Sequence, residues 1–302
     1  MKALVLGAGS MKGAFQVGAL KAILEEGFEP QMIYGTSVGA LNTAFLVNEA
    51  GKLKVEQKPV DWKYIGRQLM EFWITRITNP QMVGKLRSRV SLGVNTVMSQ
   101  YEGLLDPSPL HDLVREQIDR EVMIKSGIAC KVGALKVSTG EIEYGSPENE
   151  NFMALLQASY SIPLIMPAVP VGPGEELYLD GALREVIPIR QAFLDGAKEV
   201  IIVACHAEAM YLREEFNPKN VINLIQRIKD ISVNQLVNND IHWARIYAES
   251  ALLKGDNVKL TIIRPQVPPS LDLTKFTSED ISRLIVEGYR EALKTINGRS
   301  AV

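Results

Sequence analysis

The chain opens with two short apolar stretches, each running into a glycine-bearing turn and then into a helical pattern. Lys2 to Leu6 leads into Gly7-Ala8-Gly9-Ser10-Met11-Lys12-Gly13, and a first helix follows from roughly Gly13 to Glu26. Gln31 to Tyr34 leads into Gly35-Thr36-Ser37-Val38-Gly39, and a second helix begins with Ala40-Leu41-Asn42-Thr43-Ala44-Phe45-Leu46. Strand, loop and helix in immediate repetition imply parallel strands, because a parallel pair needs a crossover and a helix is the usual one. In such a sheet both turns lie at the carboxyl edge, where open α/β sheets bind their ligands.

Later segments extend the same pattern. Asp106-Pro107-Ser108-Pro109-Leu110 reads as a turn into a helix with apolar positions Leu110, Leu113, Val114 and Ile118. Ile128 to Val137 and Glu141 to Tyr144 form a hairpin around Ser138-Thr139-Gly140, and Leu177 to Asp180 and Val200 to Cys205 suit a covered sheet. Val258 to Arg264 is a final strand before a helix from about Thr277, whose stripe runs through Ile281, Leu284, Ile285, Tyr289, Ala292 and Ile296. Residues 52–100, with Trp62, Tyr64, Phe72 and Trp73, read as a helical insertion with irregular connections. At 302 residues and 46% hydrophobic, the chain is expected to form one domain over 1–302. Its motif-bearing core covers about 1–205, and C-terminal helices with a βα unit cover about 206–302.

A formal net charge of -2 argues against nucleic acid as a partner. The two cysteines, Cys130 and Cys205, lie in strand-like apolar runs, so buried free thiols are expected in place of a disulfide or a metal site. Glycines interrupt the apolar N-terminal run after a few residues, too early for a secretory signal, and no apolar run approaches the ~18 to 20 residues of a membrane span. The parsimonious location is the cytoplasm, with any membrane contact peripheral.

Ser37 has the setting of a nucleophile. A G-x-S-x-G turn between strand and helix holds its serine on a sharp bend, with the hydroxyl facing a helix N-terminus that favours negative charge. Three readings fit the earlier loop. As G-x-G-x-x-x-G it is similar to a dinucleotide fingerprint, but that reading needs an acid at the end of the second strand. Tyr34-Gly35-Thr36-Ser37 stands there instead, and the nearest acid, Glu29, precedes the strand. A purely structural glycine turn is the second reading. In the third, the loop's amides receive the oxyanion formed when Ser37 attacks an ester. The serine then needs a base. The histidines are His111, His206 and His242; His206 follows a strand and stays a candidate, while the other two fit packing or capping roles. Asp180, in Leu177-Tyr178-Leu179-Asp180-Gly181-Ala182, is the competing base, with Gly181 permitting close backbone approach. An ordinary strand-end aspartate closing a turn is the plain alternative.

Taken together, these residues resemble the patatin-like phospholipase family, which combines a glycine-rich oxyanion loop, a G-x-S-x-G turn and a D-G-G or D-G-A motif in that order. The likeness extends through Ala158-Ser159-Tyr160-Ser161-Ile162-Pro163, which is similar to the family's A-S-x-x-x-P stretch, through Met166-Pro167 and on to Pro188. It covers most of residues 1–205. The resemblance implies a three-layer αβα sandwich with a mainly parallel central sheet. It implies Ser37 as nucleophile in a turn built by Gly35 and Gly39, Asp180 as activating carboxylate, and the amides around Gly9 and Ser10 as oxyanion hole, with Lys12 and Gly13 supporting the loop. It implies cleavage of lipid or small acyl esters through an acyl-enzyme, without metal or cofactor. The family loop normally reads G-G-G-x-R/K-G, so Ala8 and Ser10 replace two glycines, and either is strained if its φ is positive. Val186 stands where the family often has asparagine. Two rival classes follow: a noncatalytic or regulatory binding protein that keeps the fold, and an NAD(P)-binding protein that uses the first loop.

Overall fold

The structure is a computed structural model that describes residues 1–88, 102–210, 221–269, 271, 273 and 275–298, without the side chains of 221–223, 225 and 226. The expected insertion at 52–100 and the C-terminal part at 206–302 run partly outside this set.

The central sheet forms as the twofold strand-loop-helix pattern requires. β1 (Lys2–Leu6) and β2 (Met32–Thr36) are parallel neighbours, joined by α1 (Gly13–Glu25), and α2 (Val38–Val55) follows β2 directly. After α3 (Trp62–Arg76) and a small hairpin of β3 (Lys85–Leu86) and β4 (Leu105–Asp106) come α4 (Ser108–Gln117) and α5 (Arg120–Lys125). β5 (Ala129–Lys136) then returns to the sheet parallel to β2 and turns into the antiparallel β6 (Ile142–Gly145). α6 (Phe152–Ser159), β7 (Val169–Val171) and β8 (Glu176–Asp180) follow, with β8 antiparallel to β5 and β7 on the outer edge. Pro170, which has no N–H to donate, fits that edge position. α7 (Ile189–Leu194), β9 (Glu199–Val203), α8 (Val221–Leu253), β10 (Lys259–Ile263) and α9 (Ser278–Asn297) complete the described chain. The sheet order is β10-β9-β1-β2-β5-β8-β7, with β10, β9, β1, β2 and β5 parallel to one another.

Side chains alternate across this sheet and separate its two faces. Leu4, Leu6, Ile33, Ile201 and Val203 join a core with α1, α2, α3 and α9, while Ala3, Val5, Tyr34, Val200 and Ile202 join a second core with α7 and α8. The result is a three-layer α/β fold with a mainly parallel central sheet. Among the described residues, no helix is long and apolar enough to cross a membrane.

The C-terminal helix is not peripheral to this arrangement. At the crossing of α1 and α9, a Cβ built on Gly18 would stand 1.8 Å from the Ile285 carbonyl oxygen, and one built on Gly288 would stand 1.9 Å from that of Phe15. The two backbones therefore touch through reciprocal glycines. Thr277 fixes the start of α9 in a capping box with Asp280, and Tyr289 donates to Glu25 at 2.9 Å near the end of α1. Since α1 grows out of the first glycine loop, α9 steadies the helix that carries that loop. Gly288→Ala is expected to destabilise the protein by about 1–3 kcal/mol in urea unfolding, as overpacking does. Gly174→Ala, with open space at its Cβ, should stay within about 0.5 kcal/mol of the parent.

Candidate active site

Residues far apart in sequence meet at the site because β5 lies between two strand ends. Thr36 at the end of β2 is paired with Gly133, and Asp180 at the end of β8 is paired with the next residue, Ala134. Ser37 follows Thr36 and so arrives beside Asp180. Its hydroxyl donates to Asp180 Oδ2 at 2.7 Å. Gly181 makes the approach feasible, because a Cβ there would stand 2.7 Å from the Gly133 carbonyl oxygen.

The turn that presents Ser37 is strained. Ser37 has φ 59° and ψ -127°, a conformation that costs a residue with a side chain on the order of 1–3 kcal/mol and must be held by its surroundings. Two contacts hold it. Ser159 Oγ accepts the Ser37 amide at 3.0 Å and donates to the Gly133 carbonyl at 2.7 Å, which anchors the turn to β5. Gly39, in the first turn of α2, lets the helix sit on β1, since a Cβ there would stand 2.2 Å from the Leu6 carbonyl oxygen. Gly35 lies in β2 and faces the Gly39 backbone just as closely. Ser159 belongs to the A-S-x-x-x-P stretch, and its hydroxyl's link to the Ser37 turn could not be inferred from spacing.

Asp180 is tied down on both oxygens. Oδ2 accepts the Ser37 hydroxyl and Oδ1 accepts the Ala182 amide at 2.8 Å, while its own amide donates to the Ser161 carbonyl at 3.0 Å. Burial pushes its carboxyl up to about 6, and the bonds from Ala182 and Ser37 only partly offset that.

The first loop leaves β1 and tightens into a short 3-10 turn over Ser10–Lys12 before Gly13 opens α1. Two of its amides have partners outside the site: Gly7 donates to Val203 at 3.1 Å and Ala8 donates to Val186 at 2.9 Å. Val186 thus supports the loop through its main chain, where the resemblance would have suggested a polar side chain. Its amide and that of Ile187 donate to the Asp240 carboxylate of α8 at 3.1 and 3.0 Å. Gly9 packs on Cys205, where a Cβ would come within 2.2 Å of the cysteine Cβ. Of the two glycine replacements, Ser10 is the one in the left-handed region, at φ 52°. Lys12 donates its amide to the Gly9 carbonyl at 3.1 Å.

Ser37 and Ser10 open onto a pocket lined mainly by apolar side chains such as Leu41, Phe45, Phe72, Leu113 and Met166. The competing base lies elsewhere. His206 lines a separate pocket with Lys12, Asp230 and Asn234, and Ser37 is not among the described residues around it. Burial and the cations of Lys12, Arg264 and Lys229 push the imidazole well below its ordinary value. His111 approaches Gln157 at 3.2 Å on α4, and His242 is exposed on α8.

This geometry can be set beside known proteins. A family model described as patatin-like phospholipase matches residues 4–193, more than half of the chain. The chain belongs to the patatin-like phospholipase family. This patatin-like chain is 25% identical over 252 residues to the uncharacterised protein YjjU of Escherichia coli (strain K12), covering 82% of the chain and 62% of that protein. It is also 44% identical over 59 residues to neuropathy target esterase sws of Drosophila melanogaster, covering 20% of the chain and 4% of that protein. The patatin-like chain therefore spans less than two thirds of the length of either relative. Among solved structures, VipD from Legionella pneumophila is similar over 98% of this chain and 67% of its own, at 15% identity and a TM-score of 0.44.

The buried carboxyl has a thermodynamic consequence. Because its folded pKa of about 6 lies above the ordinary 3.8, ionising Asp180 opposes folding at pH values above about 6, and the penalty vanishes below the unfolded value. Asp180→Asn is expected to melt above the parent at pH 8. The difference should shrink as pH falls through about 6, in thermal unfolding followed across pH.

Proposed function

We propose that the chain, acting as one domain over 1–302, is a serine hydrolase that cleaves acyl esters of lipids, with Ser37 as nucleophile and Asp180 as its base. The observation that carries this reading is the 2.7 Å bond from the Ser37 hydroxyl to Asp180 at the head of a cavity lined by apolar side chains. A polar reacting pair with an apolar pocket beside it suits an ester whose acyl part is a hydrocarbon chain.

The steps balance without an outside reagent. Asp180 takes the Ser37 proton as Oγ attacks the ester carbonyl carbon, and the carbonyl oxygen becomes an oxyanion facing the Gly9 and Ser10 amides. Collapse breaks the ester C–O bond, and Asp180 returns the proton to the leaving alcohol. Water then attacks the acyl-Ser37 ester while Asp180 accepts its proton. Ser37 departs with that proton and the fatty acid is released. A carboxylate raised toward the working pH is a stronger proton acceptor than an ordinary one, which suits this double role. The resemblance gives the oxyanion to the Gly9 and Ser10 amides, and the partners that the Gly7, Ala8 and Ser37 amides have within the protein are consistent with it. Lys12 and Gly13 carry the loop into α1. We place the activity in the cytoplasm, with membrane contact peripheral and lipid or small acyl esters as substrates.

A fluorophosphonate probe should label the wild type and not Ser37→Ala, as read by mass spectrometry of the labelled peptide. A folded wild type that is unreactive would instead favour a binding protein. kcat/KM for a chromogenic ester should rise with pH along a limb centred near 6, and Asp180→Asn should abolish that turnover. Leu113→Trp, which fills part of the apolar cavity, should shift preference toward short acyl chains by about tenfold, the effect of roughly 1.4 kcal/mol.

A further inference from the structure

A buried line of side chains connects the wall of the apolar cavity to the root of the first loop. Trp73, on α3, lines the cavity with its ring and donates its indole N–H to Asn42 Oδ1 at 3.0 Å. Asn42, on α2 five residues after Ser37, donates Nδ2 to Gln16 Oε1 at 3.0 Å. Gln16, on α1, donates Nε2 to the Gly7 carbonyl at 2.6 Å and to the Val203 carbonyl at 3.0 Å. Gln16 and Asn42 are at most 1% exposed.

The line admits one orientation only. An indole nitrogen can only donate, so it fixes the oxygen of Asn42 toward Trp73 and its amino group toward Gln16. Gln16 must then turn its own amino group to the carbonyls, which can only accept. A donor-only group at one end and acceptor-only groups at the other leave no flipped alternative that keeps the bonds. Every bond in the line is buried, so breaking one leaves a polar group that has lost its partner in a mainly apolar setting.

We propose that Gln16, Asn42 and Trp73 are positioning residues that hold the Gly7–Ser10 loop in register with Ser37 and with the wall of the acyl pocket. The inference rests on the reading of Ser37 as an acyl-transfer nucleophile. Gly7 lies two residues before Gly9, and its carbonyl is gripped from α1. Asn42 ties that grip to the helix that starts at the nucleophile. Trp73 extends it to the surface that an acyl chain would touch. The three groups touch no reacting atom, so their effect is on the placement of the loop amides.

The test compares Trp73→Phe, Gln16→Met and the double variant. Trp73→Phe keeps an aromatic wall and removes the indole N–H together with the rest of the five-membered ring. It should lower kcat for a long-chain chromogenic ester about tenfold with KM changed less than about twofold. Gln16→Met should lower kcat at least as much. Because the residues act in series, the double variant should be no slower than Gln16→Met alone, a non-additivity that independent sites do not give. Amide chemical shifts and hydrogen exchange at Gly9 and Ser10 should change in Trp73→Phe, and this readout needs no turnover. Unchanged kcat in folded single variants, multiplied losses in the double variant, or unmoved loop amides would each overturn the proposal. If Gln16→Met does not fold, Trp73→Phe and its loop amides decide the matter. An inactive, unlabelled wild type would sink the nucleophile reading, and the loop amides would still decide whether the relay exists.

Discussion

The site depends on one strand being flanked by the ends of two others. β5 holds Thr36 against Gly133 and Asp180 against Ala134, and this single-residue offset lets a hydroxyl and a carboxyl separated by more than a hundred residues share a proton at 2.7 Å. Everything nearby serves that approach. Gly181 removes the side chain that would collide with Gly133, and Ser159 ties the strained turn to the same strand. Burial then raises the carboxyl, so the arrangement that brings the pair together also tunes its acid-base behaviour.

The beginning of the fold was legible because its signals were local. Apolar runs of strand length, each stopped by glycine and followed by a helical pattern, marked β1, α1, β2 and the start of α2 to within about two residues, the usual uncertainty of element ends. The hairpin at 138–140 and the final strand and helix were read the same way. Between these, periodicity failed. β7 is short and contains Pro170, which argues against a strand anywhere but on an edge. α8, spanning Val221–Leu253, mixes apolar and polar residues over its length, and the sequence marked it only as part of the C-terminal helices at about 206–302.

At the site, motif residues were legible and their supports were not. The conditional strain on Ala8 and Ser10 fell on Ser10 alone, since only Ser10 takes a positive φ. Val186 stands where the resemblance suggested a polar residue, yet its main chain carries a loop contact, which residue identity cannot reveal. Gln16 did leave a trace, as a polar side chain inside the otherwise apolar Ala14-Phe15-Gln16-Val17-Gly18-Ala19-Leu20. That a buried amide must find partners follows from elementary energetics. That its partners are Gly7, Val203 and Asn42 follows only once α1, α2 and the sheet are assembled. The C-terminal helix likewise lies beyond the matched 4–193 region but braces α1 through paired glycines.

If Ser37 is the nucleophile, its oxygen carries the acyl group between two half-reactions. Rapid mixing with a long-chain activated ester, acid quenching and mass spectrometry of the digested protein would catch that intermediate. The expected result is a mass increase of one acyl group on the peptide containing Ser37, formed before product release reaches its steady rate. Steady ester turnover with no acylated Ser37 at any quench time, or with the acyl group on another residue, would refute the assignment.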